Sequence, residues 1–105
     1  GALGPWLMTP DELGPLEQHR ITTRVNGEVV QDAGFDQMSF SVADIIAYCS
    51  GFTTLSPGDV ILTGTPGGVG AKRTPPLWLR PGDVVDVTVT GLGVLTNPVT
   101  DDVAA

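Results

Sequence analysis

Ile21-Thr22-Thr23-Arg24-Val25-Asn26-Gly27-Glu28-Val29-Val30-Gln31-Asp32 is the stretch whose pattern decides the fold. Ile21, Thr23 and Val25 alternate with Thr22 and Arg24 up to Asn26-Gly27, a dipeptide that tolerates left-handed backbone and so favours a type I′ turn. The pattern predicts a β-hairpin, with strands over residues 21–25 and 28–32. In that pairing Arg24 lies across from Val29 on the wetter face. It could bind an anion there, although a solvated strand arginine is the commoner outcome.

Before the hairpin, Leu3 to Met8 reads as a short extended segment entering a core, with Trp6 as its largest apolar contribution. Thr9-Pro10-Asp11-Glu12 carries a capping-box pattern. Thr9 would cap, Pro10 suits the first helical position, and Glu12 would reach back to the Thr9 amide before Gly14-Pro15 ends the turn. Asp11 and Glu12 are then helix-start residues and not an acid/base pair.

Beyond the hairpin, Asp36 to Phe40 forms an irregular link into a helix predicted from Ser41 to about Ser50, with Asp44 completing a capping box and Gly51 ending it. Val42, Ile45, Ile46 and Cys49 fall on one face of that helix. Cys49 is therefore expected to be a small buried hydrophobe; a nucleophile would need a nearby base to lower its pKa.

Leu55-Ser56-Pro57-Gly58-Asp59-Val60 is echoed by Leu79-Arg80-Pro81-Gly82-Asp83-Val84, each preceding an apolar run. Pro-Gly fits the centre of a type II turn, and two copies amount to reused turn chemistry, not a repeat architecture. Val84 to Thr90 alternates as a half-buried strand, Gly91-Leu92-Gly93 turns it into Val94-Leu95-Thr96, and Asn97-Pro98 closes the second strand. The small, acidic tail Thr100 to Ala105 is expected to fray.

The candidate site is Thr63-Gly64-Thr65-Pro66-Gly67-Gly68-Val69-Gly70, delivered by a strand predicted over Asp59-Val60-Ile61-Leu62. Four glycines and a proline in eight positions allow positive φ and close backbone approach. Thr63 and Thr65, two apart at a strand end, would present hydroxyls on the same side. Small anions are often held in this way; the ordinary alternative is a tight solvated connection. Ala71-Lys72-Arg73 supplies the local positive charge. It completes neither G-x-x-x-x-G-K-[ST], since Ala71 precedes Lys72 and Arg73 follows it, nor G-x-G-x-x-G, since Arg73 stands in the third glycine's place.

At 105 residues the chain fits one domain with a real core. Its 41% hydrophobic and 16% charged residues argue against a disordered chain, and 14 Gly with 9 Pro point to many turns and short strands. A net charge of −7, with no basic run, argues against nucleic acid or an anionic membrane as partner. Cys49 and His19 are each alone, so no internal disulfide or cysteine zinc site can form, which suits a reducing cytoplasm. No apolar run reaches membrane-spanning length, and Gly1 to Trp6 lacks signal-peptide character. The apolar, uncapped opening lacks an initiator methionine, as expected of a chain entered in mid-domain, although removal of a tag or of the methionine would explain it as well. The residues thus describe a mainly β domain with one α-helix (α+β) and one candidate site loop. They assemble no metal-ligand cluster and no nucleophile triad.

Taken together, Gly4-Pro5-Trp6-Leu7-Met8-Thr9, Arg24 to Gln31, Met38 to Ala47, Leu55 to Gly70 and Leu79 to Val99 resemble, in order, the carboxy-terminal half of the fumarylacetoacetate hydrolase family. The specific element is Pro-Gly-Asp-Val-Ile-Leu-Thr-Gly-Thr-Pro, joined to the later Leu-x-Pro-Gly-Asp-Val-Val and Gly-x-Gly-x-Leu-x-Asn-Pro-Val. The resemblance implies a mixed β-sandwich roll, incomplete in this chain. It also implies a cytoplasmic, usually homodimeric enzyme that uses Mg²⁺, or Mn²⁺ or Ca²⁺ in its place, and acts as hydrolase, decarboxylase or isomerase on acylpyruvate-like oxo or hydroxy dicarboxylic acids. The implied chemistry is metal chelation of the oxo acid with stabilisation of an enolate.

In the family, the carboxylate metal ligands, catalytic lysine and lid His-Glu pair precede the Gly-Pro-Trp segment, so no catalytic residue and no metal ligand is assigned here, and Asp11, Glu12, Asp36 and His19 do not substitute for them. The missing amino-terminal half is thus an expected partner. By resemblance, Thr65 helps bind the substrate carboxylate and Gly64 shapes its loop. The competing reading is a non-catalytic β-rich binding or oligomerisation module.

Overall fold

The computed structural model describes residues 1–102. Its elements are α1 (Pro10–Leu13), β1 (Arg20–Val25), β2 (Glu28–Gly34), α2 (Val42–Ser50), β3 (Val84–Val89) and β4 (Gly93–Pro98), with 3₁₀ turns at Leu16–Gln18, Phe35–Gln37 and Gly70–Lys72. Of the tail expected to fray, residues 103–105 lie outside the described residues.

The four strands form one antiparallel sheet in the order β2-β1-β3-β4. The first hairpin turns where expected, with Asn26 at φ 51° and Gly27 at φ 85°, both in the region a type I′ turn requires. Ile21, Thr23 and Val25 stand opposite Val89, Val87 and Val85, and Val87 stands opposite Leu95, which gathers the apolar positions on one face. Arg24, Asp86 and Thr96 line up on the other, where the Thr96 hydroxyl donates to Asp86 at 2.6 Å. Arg20 and Asp32 pair there at 2.9 Å. Arg24 thus sits across from Val29 as the hairpin predicts, on the polar face.

One residue departs from the simple hairpin register. Arg24 pairs with Val29 but Thr23 pairs with Gln31, leaving Val30 as the extra residue of a β-bulge. Because side chains alternate with period two, one extra residue moves everything beyond it to the opposite face. Gln31 is thereby carried to the apolar face beside Thr23.

The capping box of α2 forms: Ser41 Oγ accepts from the Asp44 amide at 3.1 Å, and Asp44 accepts from the Ser41 amide at 3.0 Å. The Ser41 hydroxyl, which donates to the Asp44 carboxylate at 2.6 Å, and then the Ser41 amide hold the Asp44 carboxyl below its ordinary range. α1 begins with Pro10 as expected, but Thr9 makes no side-chain cap bond. The echoed turns have the same chemistry: Asp59 N–H donates to the Ser56 carbonyl and Asp83 N–H to the Arg80 carbonyl, each at 3.0 Å. Their carboxylates accept from the Ser56 and Arg80 amides, each at 2.8 Å.

Several expectations are corrected. No strand forms over Asp59-Val60-Ile61-Leu62; Val60 is 61% and Leu62 90% exposed, because a ladder needs a neighbour and no described strand lies beside this segment. Among the described residues Val30, at 9% exposure, is the sole buried hydrophobic residue, so the real core expected from length is absent. Trp6 is 59% exposed, its indole N–H donating to the Leu92 carbonyl at 2.7 Å. On α2, Val42, Ile45 and Cys49 are half-buried and Ile46 is exposed, so Cys49 is not the fully buried residue its helical position implied. The apolar face of a single sheet needs a second layer, and the described residues do not supply one. None of their helices is long and apolar enough to cross a membrane.

Candidate functional site

The loop after Leu62 faces the start of the first hairpin across an open cavity of about 430 Å³, within the size range of small-molecule sites. Thr63, Gly64, Thr65, Pro66 and Gly67 form one wall. Apolar groups from Ile21, Phe35, Met38, Phe40 and Ile45 form much of the other. Thr63 and Thr65 do line one cavity, but not by strand periodicity: Gly64 between them takes φ 97°, which breaks the extended alternation.

Two contacts fix this loop to β2, and sequence reading identified neither. Gln31 Nε2 donates to Thr65 Oγ1 at 3.0 Å and to the Pro66 carbonyl at 2.9 Å. Further along, Arg73 Nε donates to the Gly68 carbonyl at 3.1 Å, and its other guanidinium arm reaches the Val30 carbonyl. The bulge takes Val30 out of regular pairing, so its carbonyl is open to Arg73. The Arg73 charge is therefore engaged with backbone carbonyls. Gly68 is required by proximity, since a Cβ there would stand 2.2 Å from the Val30 carbonyl oxygen.

No titratable side chain lines the cavity. Its polar groups are neutral: the Thr63 and Thr65 hydroxyls, Ser39, Gln37 and the loop backbone. Among the described residues, no backbone carbonyl accepts from the amides of Gly64, Thr65 or Gly67. The arrangement offers donors to an acceptor ligand but no acid, base or nucleophile.

Nor do the described residues fit a metal: no three His, Cys, Asp or Glu side chains converge on one point. Several of their carboxylates serve turns, a cap and an ion pair instead. Asp59 and Asp83 close turns, Asp44 caps α2, and Asp32 meets Arg20. His19 has a structural position, its ring nitrogens lying 2.6 Å from the Thr90 carbonyl oxygen and 3.0 Å from that of Leu13.

A second concavity of about 330 Å³ lies at the far end of β1, near Val25, Asn26, Trp78 and Arg80. Asn26 and Asp83 on its wall are already bonded to each other at 2.9 Å, which makes it the poorer ligand site.

Comparison with known proteins places this geometry in a family. The model of the fumarylacetoacetate hydrolase carboxy-terminal domain matches residues 1–100. The human mitochondrial oxaloacetate tautomerase FAHD2B is 50% identical over 97 residues, covering 92% of this chain and 31% of the relative. A solved fumarylacetoacetate hydrolase from psychrophilic Exiguobacterium antarcticum superposes with TM-score 0.86 at 43% identity, covering 94% of this chain and 35% of that one. Maleylpyruvate hydrolase from Sphingobium sp. SYK-6, solved with manganese (II) and pyruvate, gives TM-score 0.82 at 31% identity, covering 92% and 34%. The chain spans about a third of the length of the relatives it matches.

Proposed function

Since the chain belongs to the fumarylacetoacetate hydrolase family, we propose that it is the substrate-carboxylate part of an enzyme that hydrolyses, decarboxylates or isomerises acylpyruvate-like oxo or hydroxy dicarboxylic acids. The observation that carries this reading is the cavity lined on one side by Thr65 and by loop residues whose amides have no backbone acceptor, and on the other by apolar side chains, with no carboxylate among the lining residues. A substrate carboxylate would accept from the Thr65 hydroxyl and the neighbouring amides. Gly64 gives the loop the turn that brings those donors together. The carbon skeleton would lie against the apolar groups of Met38, Phe40 and Ile45.

The reacting atoms need groups that the described residues do not bring together. A catalytic base and the ligands of a divalent cation, Mg²⁺ or its substitutes Mn²⁺ and Ca²⁺, would come from an amino-terminal portion. The manganese and pyruvate in the Sphingobium relative support a cation and a 2-oxo acid together. We infer a homodimer working in the cytoplasm, with neither nucleic acid nor membrane as partner. A purely binding or oligomerising module would retain the fold without turnover.

The test is steady-state kinetics of Thr65→Val and Thr63→Val in the complete protein. Loss of a hydrogen bond to a charged group costs about 1.5 to 3 kcal/mol, roughly ten- to a hundredfold in kcat/KM, and that is the loss expected for Thr65→Val. Thr63→Val should lose less, since no observed partner orients its hydroxyl. Equal, small effects at unchanged stability would make the loop a connector.

A further inference from the structure

We propose that Gln31 is a positioning residue that commits the Thr65 hydroxyl to donate into the cavity; this rests on the reading of Thr65 as a carboxylate ligand. Three observations carry it. First, Gln31 touches two acceptors at once, Thr65 Oγ1 and the Pro66 carbonyl oxygen. A carbonyl oxygen can only accept, so the amide nitrogen must face Pro66, and the same nitrogen then gives its second N–H to Thr65. With a lone pair of Oγ1 occupied by Gln31, the Thr65 proton is left to point elsewhere, and the cavity is what Thr65 lines.

Second, Gln31 is held in place to do this. Its stem passes close to Gly68, where an added Cβ would lie 3.3 Å from Gln31 Cγ, and Arg73 ties the same loop to the adjacent Val30 carbonyl. Third, Gln31 is a polar side chain on the apolar face of the sheet, placed there by the Val30 bulge. Buried or half-buried polar groups at such positions are costly unless bonded, and here both amide hydrogens have acceptors. The consequence is selectivity: a hydroxyl set as a donor favours an anionic acceptor and disfavours a ligand that must itself donate at this point.

A double-mutant cycle in the complete protein tests this. For Gln31→Met, Thr65→Val and the double variant, kcat/KM for an acylpyruvate and the inhibition constant of pyruvate are measured, with thermal midpoints alongside. Gln31→Met is expected to lose about tenfold in both kinetic quantities, and the double variant is expected to lose no more than Thr65→Val alone, because residues acting through one group are not additive. Multiplying losses in the double variant, or unchanged pyruvate inhibition in Gln31→Met, overturns the positioning role and leaves the Thr65 reading standing. An inert Thr65→Val overturns the Thr65 reading itself. Should Gln31→Met fail to fold, Gln31→Glu decides. Its carboxylate would accept the Thr65 proton, so pyruvate inhibition should weaken at neutral pH and partly recover on acidification; wild-type inhibition at every pH overturns the proposal.

Discussion

Asn26 and Asp83 lock the turn of the first hairpin to the start of β3. Asn26 Nδ2 donates to Asp83 Oδ1 at 2.9 Å, and Asn26 Oδ1 accepts from the Val84 amide at 2.9 Å. The Asn26 amide in turn donates to the Val84 carbonyl at 2.9 Å. A local turn residue thus joins two strands that are distant in sequence, and the order β2-β1-β3 depends on such joints.

Replacing Asn26 separates its two roles. Asn26→Gly keeps the left-handed backbone and removes only the side-chain bonds, whereas Asn26→Ala also forces a Cβ residue to φ 51°, an added cost of about 1–2 kcal/mol. Denaturant midpoints should rank wild type above Gly above Ala. An Ala variant as stable as the Gly variant would mean that the turn relaxes to another type.

Asp83 also links stability to pH. The Asn26 side chain first, then the Arg80 amide and charge, hold its carboxyl below the ordinary value of 3.8. The fold therefore favours the ionised form. That contribution is complete above about pH 4, the unfolded value, and is lost as pH falls through the lowered folded value. The melting temperatures of wild type and Asp83→Asn should differ most near neutrality and converge in strong acid. A constant gap across that range would remove Asp83 ionisation from the account.

Gly68 and Gly64 should respond differently to alanine. Both have positive φ, 99° and 97°, but a Cβ at Gly68 would meet the Val30 carbonyl while one at Gly64 meets nothing within 4 Å. Gly64→Ala should cost about 1–2 kcal/mol of backbone strain. Gly68→Ala should cost more, because the loop must also move off β2. Urea unfolding with equal losses would show that the Gly68 contact is soft.

The 105-residue chain should bind Mg²⁺ no more tightly than millimolar and should turn over no acylpyruvate. Hard cations need clustered oxygen ligands, and the carboxylates described here are dispersed over turns, caps and an ion pair. Titration calorimetry on this chain alone is the measurement; a single micromolar site would refute the assignment of ligands elsewhere.

The chain alone should also self-associate. Trp6, Val29 and Val94 are 59%, 48% and 47% exposed, and β2 and β4 both present unpaired edges. Light scattering should find more than monomer at high concentration, with dye binding to these exposed apolar side chains. A dye-silent monomer would count against this surface as an interface.

Local chemistry determined much of this protein. Asn26-Gly27 demanded a hairpin, Ser41 with Asp44 started α2, the two Pro-Gly-Asp turns formed alike, and the alternation of Val85, Val87 and Val89 produced a one-faced strand, because each depends on residues within a few positions. The order of motifs likewise marked the family and the loop carrying Thr65. Tertiary structure decided what required a distant partner. The segment 59–62 had strand composition but no neighbour to pair with, and the apolar faces of α2 and the sheet had too little second layer to close a core. Gln31 was hidden for a related reason. Simple hairpin register places it on the polar face, and only the extra residue at Val30 turns it toward Thr65; a bulge is set by what the strand packs against, here the Gly68 backbone and Arg73, and not by the strand's own alternation.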